Sequence, residues 1–354
     1  MKRPPLRIEE LKIRSFRGIA ALDLEFPPND DGEGGLTVLL GDNGCGKTAI
    51  MEAILLVLGK LELLPADSAP IMEQVKWGAN VFSISATISA NGQARQTLHV
   101  EALRDVIAPA ENQALVANLL HFPPLKDILA LNANVQYFSA RREPEALGET
   151  PSPQGGRSER EARRIAELKR KLISAYYRSL RSKKRLDTEI PVFERLQRFI
   201  RPFLGDDWTI DVLPTANDPG SGDEVILRRG EVPSDITSLA MARNEALIRD
   251  DIPTLVPIDR LSSGQIALFA FAGPLVFRDA PADVVLIDEP EQHLHVQWQR
   301  YIIPALRELS PESQFIVATH SLDVADAASH DERLLLLPEG DPRLSRSKKD
   351  LAAE

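Results

Sequence analysis

Cysteine is almost absent from this sequence. Cys45 stands alone among 354 residues, which excludes internal disulfides and any zinc site assembled from several thiolates. Long apolar runs are missing as well: no stretch approaches 18 uninterrupted apolar residues, and the opening MKRPPLRIEELKIRSF lacks the apolar centre of a signal peptide. The expectation is a cytoplasmic protein without a membrane partner. Positive charge is in the minority, with 42 Lys and Arg against 52 Asp and Glu and a net charge of −10, so a nucleic-acid surface would require the basic residues to be concentrated. No internal repeat is visible. What is present, 43 % apolar and 27 % charged residues, is a globular composition in a chain long enough for two lobes.

The stretch GDNGCGKT, residues 41–48, follows the apolar run LTVLL and precedes TAIMEAILLVLGKL. A buried strand over Leu36–Leu40 and an amphipathic helix with a stripe of Ile50, Ile54, Leu58 and Leu61 are expected on either side. Gly41, Gly44 and Gly46 let successive backbone N–H groups turn toward an anion, and the helix beginning near Lys47 adds its positive dipole end. A triphosphate suits that field. Lys47 reaches its β- and γ-phosphates as a point charge, and the Thr48 hydroxyl offers magnesium a hard oxygen ligand. The expected nucleotide-binding residues are Asn43, Gly44, Cys45, Gly46, Lys47, Thr48 and Ala49, and the expected cofactors are ATP and Mg2+.

Some 240 residues further on, ADVVLIDEPEQHLH holds a continuous apolar run, Val284–Ile287, that reads as a central parallel strand ending in two carboxylates. Asp288 is placed to complete the magnesium shell and Glu289 to act as general base on the attacking water. His293 and His295, two apart and with no third ligand in view, are expected to be structural.

Between these motifs and immediately before the acidic strand lies DRLSSGQIALFAFAGPLVF, beginning at Asp259. A serine N-cap at Ser262 is compatible with it, and such a cap leaves free N–H groups for an anion. L-S-S-G-Q resembles the signature motif of ATP-binding-cassette ATPases, with Ser263 in place of the first glycine of the usual pair. In that family two cassettes sandwich two nucleotides head to tail. The resemblance therefore implies a homodimer closed by ATP, in which Ser262, Ser263, Gly264 and Gln265 act on the nucleotide held by the partner's P-loop. It also implies that His320, at the end of the apolar strand in SQFIVATHS, contacts the γ-phosphate as a switch. Gln136, in NVQYFSARR, is the candidate for the family's glutamine loop and a third metal ligand. The opening LKIRSFRGIAALDLEF and the block from VPIDRLSSGQ to FIVATHS are similar to the SMC/RecF-like branch, above all to small bacterial members found in anti-phage defence operons. Transporter cassettes share the signature but typically open differently.

Residues 143–158 are rich in proline and glycine and read as a linker. Arg157–Arg201 then carries 15 Lys and Arg against 6 Asp and Glu, a net of +9 within the acidic chain. It stands where SMC relatives insert long coiled coils but is too short and lacks sustained heptads. Contact with DNA, aided by Tyr176 and Tyr177, and pairing with acidic protein surfaces are both open readings. The expected fold is an α/β ABC-type P-loop ATPase head with an antiparallel β arm. Its expected parts are an N-terminal lobe 1–142, the linker, a basic helical insert 159–204, a C-terminal lobe 205–340 and a polar tail 341–354. The function read from these features is an ATPase that dimerises on ATP and switches a DNA or effector partner. The alternatives are a slow ATPase that serves as a scaffold restraining an effector, and a DNA-repair ATPase. No nuclease or other second catalytic constellation is evident, so any damaging chemistry is expected from a separate effector protein.

Overall fold

The computed structural model describes residues 5–27, 34–65, 74–90, 95–103, 119–121, 133–140, 159–181, 192–213, 223–231, 254–278, 280–292 and 294–337. The linker 143–158, the Asn91-Gly92 pair whose sequence signals a hairpin, residues 235–252 whose sequence reads as one helix, His293 and the tail 341–354 lie outside these residues. The chain forms two compact units, one of Met1–Glu145, Pro281–Gln292 and Ser310–Glu354, the other of Ala146–Ala280 and His293–Leu309. The stretch 205–340 contributes to both: the Asp-Glu strand and His320 belong to the first, the signature helix to the second.

The first unit contains two sheets. Strands β1 (Leu6–Phe16), β2 (Ile19–Glu25), β4 (Val81–Ala90), β5 (Gln96–Leu103) and β6 (Leu119–His121) form an antiparallel sheet in the order β2-β1-β4-β5-β6. The core-facing residues of β1 change phase, from Leu6 and Ile8 to Leu11 and Ile13, and a bulge between Ile8 and Glu10 absorbs the extra residue. Without it a side-chain period of two would turn one half of the strand outward. The second sheet is parallel and runs β13-β3-β12-β11-β7, from β3 (Leu36–Leu40), β7 (Val135–Phe138), β11 (Val284–Asp288), β12 (Gln314–Thr319) and β13 (Arg333–Leu335). All of β11 and β12 is buried, as expected for strands covered on both faces.

Helix α1 (Lys47–Val57) departs from its expected amphipathic form. Every residue in it except Thr48 is buried, because it belongs to a core shared by both sheets of this unit, with Leu11, Phe16, Phe82, Leu286 and Ile316. A helix buried on nearly every face is an interior helix. Its one buried carboxylate, Glu52, is paired with Arg17 at 2.5 Å. The unit also holds the short α6 (Leu322–Ala325).

The second unit holds α2 (Glu159–Arg181), α3 (Val192–Leu204), α4 (Ser263–Val276), α5 (Val296–Leu309) and an antiparallel sheet of β8 (Trp208–Leu213), β9 (Glu224–Arg229) and β10 (Thr254–Pro257) in the order β10-β9-β8. Helix α2 buries Ile165, Leu172 and Ala175 at helical spacing and exposes Arg170, Lys171 and Arg178 on another face. Tyr176 and Tyr177 are packing residues: Tyr177 donates to buried Asp223 at 2.8 Å, and Tyr176 meets Phe193 edge-on at 6.3 Å. Arg195 reaches from α3 to the carbonyls of Leu275, Val276 and Leu309, closing the C-terminal ends of α4 and α5. No described helix is long and apolar enough to cross a membrane.

Candidate functional site

The turn after β3 is built for close approach. A Cβ on Gly41 would meet the Cys45 sulfur and the Leu336 carbonyl oxygen at 2.6 Å each, and Gly46 has φ +99° with Ile19 at 3.1 Å from its would-be Cβ. Only glycine fits both constraints. Lys47 is 5 % exposed and its ammonium donates to the carbonyls of Gly41 at 2.6 Å and Asp42 at 2.9 Å, so the loop wraps its own cation. Asn43, Gly44 and Thr48 are exposed, Cys45 is half-buried, and Ala49 is buried as the helix enters the core.

Asp288 lies at the end of β11, at 1 % exposure, where its Oδ2 accepts from the Thr48 hydroxyl at 2.7 Å. Its other oxygen is buried and has no hydrogen-bond partner among the described residues. Burial pushes its pKa up to about 6; the Thr48 hydrogen bond opposes the rise, Glu289 and Glu291 add to it, and Lys47 reduces it. A buried oxygen with no donor, beside a hydroxyl and a carboxylate oxygen, is the hard, anionic donor set that suits a magnesium ion, and Thr48 with Asp288 would hold it.

Glu289 has φ +50°, a conformation unusual outside glycine, and its backbone N–H donates to the Ala318 carbonyl at 2.8 Å. Its side chain accepts from the Gln292 amide. His320, directly after β12, is half exposed and carries its Nδ1 3.9 Å from Glu289 and 3.0 Å from Glu291. The parallel pairing of β11 with β12, Asp288 opposite Ala318, is what brings these side chains together. Gln136 is not brought with them. It stands opposite Val285 in β7, three positions before Asp288 and so about 10 Å short along the strand, and its amide donates to the Tyr137 carbonyl.

Two residues at this site were missed. Glu291 is buried and bonded to Thr319 and His320; Tyr137 has a buried hydroxyl without a hydrogen-bond partner among the described residues, pushed well up in pKa by burial and by Asp288 and Glu52. Neither had a spacing signal of its own.

In the second unit Ser262 caps α4. Its hydroxyl accepts from Gln265 N–H at 3.3 Å, and the Gln265 side chain returns the bond to Ser262 N–H at 2.9 Å, a complete capping box. Ser262, Ser263 and Gly264 line a depression of about 660 Å³ together with Leu294, His295, Gln297 and Trp298. His295 thus stands beside the serines, its Nδ1 accepting from Gln297 N–H at 3.3 Å.

A strand, glycine-rich turn and buried helix facing a second parallel strand that ends in carboxylates define a P-loop nucleotide-binding fold. The chain belongs to the family described as "AAA domain, putative AbiEii toxin, Type IV TA system", whose profile matches residues 36–326. It is 40 % identical over 53 residues to the Septu protein PtuA of Bacillus thuringiensis, covering 15 % of this chain and 13 % of that protein. It is 24 % identical over 366 residues to the OLD nuclease of Thermus scotoductus, covering 95 % of this chain and 63 % of that protein. The chain spans less than two thirds of the length of each of these relatives. Among solved structures, an Smc head bound to the C-winged helix domain of ScpA superposes with a TM-score of 0.52 at 18 % identity, covering 91 % of each chain, a likeness of fold. The family match and the SMC-head fold agree with the resemblance that the motifs implied.

Proposed function

We propose that the chain binds Mg-ATP at the Lys47, Thr48 and Asp288 cluster, pairs with a second copy through two composite sites, and hydrolyses ATP to reopen. The observation that carries this reading is the 2.7 Å bond between Thr48 and Asp288, residues 240 apart in sequence, with Lys47, Glu289 and His320 gathered in the same unit. Lys47 exchanges its loop carbonyls for phosphate oxygens. Glu289 withdraws the proton from the attacking water, and Mg2+ supplies charge neutralisation when bound. Ser262, Ser263, Gly264 and Gln265 act on the partner copy's nucleotide.

The ATP-driven cycle is proposed to switch a separate effector protein in the cytoplasm, in anti-phage defence. The family description naming a toxin–antitoxin system and the stretch shared with PtuA support that role. DNA contact is assigned to the exposed face of α2, since Lys169 and Arg195 are turned inward, Lys169 onto Glu224 and Asp259. Reversal of Arg170, Lys171 and Arg178 to Glu should abolish salt-dependent DNA binding without affecting nucleotide binding; a wild type that never binds DNA at low salt with ATP present removes this assignment.

The central test is Glu289→Gln. That variant should bind ATP, lose turnover by about a hundredfold or more, and accumulate as a dimer in light scattering, whereas Lys47→Ala should show no ATP-dependent rise in melting temperature. Full activity in Glu289→Gln would exclude the general-base role. A wild type that dimerises on ATP without turnover would make the chain a nucleotide-dependent scaffold.

A further inference from the structure

A third carboxylate stands behind the two that the motif reading singled out. Glu291 is 7 % exposed, and its Oε1 lies 2.7 Å from the Thr319 hydroxyl, 3.0 Å from the His320 backbone nitrogen and 3.0 Å from His320 Nδ1. Its Oε2 is buried with no hydrogen-bond partner among the described residues. A buried carboxylate with one bare oxygen costs stability, and an apolar side chain of similar volume would fill the space at lower cost. Packing alone does not account for it. Glu289 is the more distant carboxylate, its Oε1 3.9 Å from the same ring nitrogen.

The surrounding turn is stitched to hold this geometry. The Thr319 hydroxyl donates to Glu291 and accepts from Ser321 N–H at 2.9 Å, and the Ser321 hydroxyl in turn caps α6 through Val324 N–H. His320 therefore has little freedom in its backbone, and its side chain, 49 % exposed, is anchored at Nδ1 only. Nε2 has no partner among the described residues.

We infer that Glu291 is a positioning residue for His320: by accepting a hydrogen bond from Nδ1–H it fixes the tautomer and turns Nε2 toward the γ-phosphate. The hydrogen bond made by one ring nitrogen decides which nitrogen bears the proton. With the proton held on Nδ1, Nε2 presents its lone pair to the attacking water or a protonated phosphate oxygen at that end of the ring. What Nε2 faces rests on the ATPase reading; the Glu291–His320 contact does not.

The test is nitrogen-15 NMR of the full-length, nucleotide-free protein well above neutral pH, with His320 assigned among the six histidines by comparison with His320→Asn. The wild type should show the proton on Nδ1, the reverse of the form favoured by a histidine side chain in water. Glu289→Gln should keep it there. Glu291→Ala should move it to Nε2 and lower kcat by about 10- to 100-fold, with KM for ATP changed less than about twofold. Glu291→Gln, whose carbonyl still accepts, should hold the tautomer and recover part of the lost kcat. The inference is overturned by a wild type protonated on Nε2, by Glu291→Ala retaining Nδ1–H, or by a tautomer change that leaves kcat untouched. If Glu291→Ala does not fold, the wild-type and Glu291→Gln spectra decide alone. Absence of turnover in every form would sink the ATPase reading, and the tautomer would still be read.

Discussion

At the scale of the residue, Asp288 bears a cost that a bound cation would relieve. Its pKa in the folded chain is raised from 3.8 to about 6 by burial. A raised value means that its contribution to stability is complete below about pH 4 and is lost as the pH climbs through 6. In magnesium-free protein Asp288→Asn should therefore gain on the wild type between pH 4 and 7, by up to about 3 kcal/mol. Melting temperatures of the two forms, compared across that range in chelator, check this; a difference that stays constant with pH would count against the burial of an ionised Asp288. Lys47, Thr48, Asp288 and Glu289 were legible because each motif is a short local pattern whose residue types carry their own chemistry. Glu291 and Tyr137 were not, since their roles exist only where β11, β12 and β7 lie side by side. Gln136 was chosen by sequence position, and register decided against bringing it to the Thr48 and Asp288 pair.

At the scale of the element, strands with continuous apolar runs and the hairpin formed by β4 and β5 could be read directly from period and turn residues. The error over α1 came from the same method. A stripe of Ile50, Ile54 and Leu58 says that one face is buried, but the Ala, Met and Leu residues and the single Glu52 on the remaining faces do not reveal whether another sheet covers them. The basic insert misled in a different way. Counting charges treated Arg195 as part of a surface, whereas it supplies donors to carbonyls at the ends of α4 and α5. A lysine has the charge but carries its three donors on a single nitrogen, without the planar fork by which two guanidinium nitrogens reach the ends of both helices. Arg195→Lys should lower the melting temperature by about 2–6 °C, while Arg178→Glu, on the exposed face, should leave it within about 1 °C. Equal effects of the two would mean that Arg195 contributes only charge.

At the scale of the whole molecule, the proposed composite sites make a quantitative demand on mixtures. Ser262→Arg and Lys47→Ala should each be inactive alone. Mixed in equal amounts and allowed to exchange, half the dimers are heterodimers with one intact site, so activity should return to about a quarter of the wild-type value if sites fire independently. Background activity after demonstrated exchange would count against sharing of sites, unless both must fire together. Neither the motifs nor their spacing could disclose how the chain divides, because the P-loop, the Asp-Glu strand and His320 are collected into one unit from three separated segments while the signature helix falls in the other.

That division sets a timetable during synthesis. Strand β3, which leads into the P-loop, has as its sheet neighbours β12 and β13, near residues 314–319 and 333–335. At about 5–20 residues per second, an emerging LTVLL segment waits roughly 14–55 s for the first of them to be translated. Through that interval a five-residue apolar strand and the helix behind it are in the chain while their parallel partners have yet to be made. The nucleotide cradle is thus encoded early and becomes available late, so a nascent chain stalled before residue 314 should remain a substrate for chaperones and be unable to bind ATP.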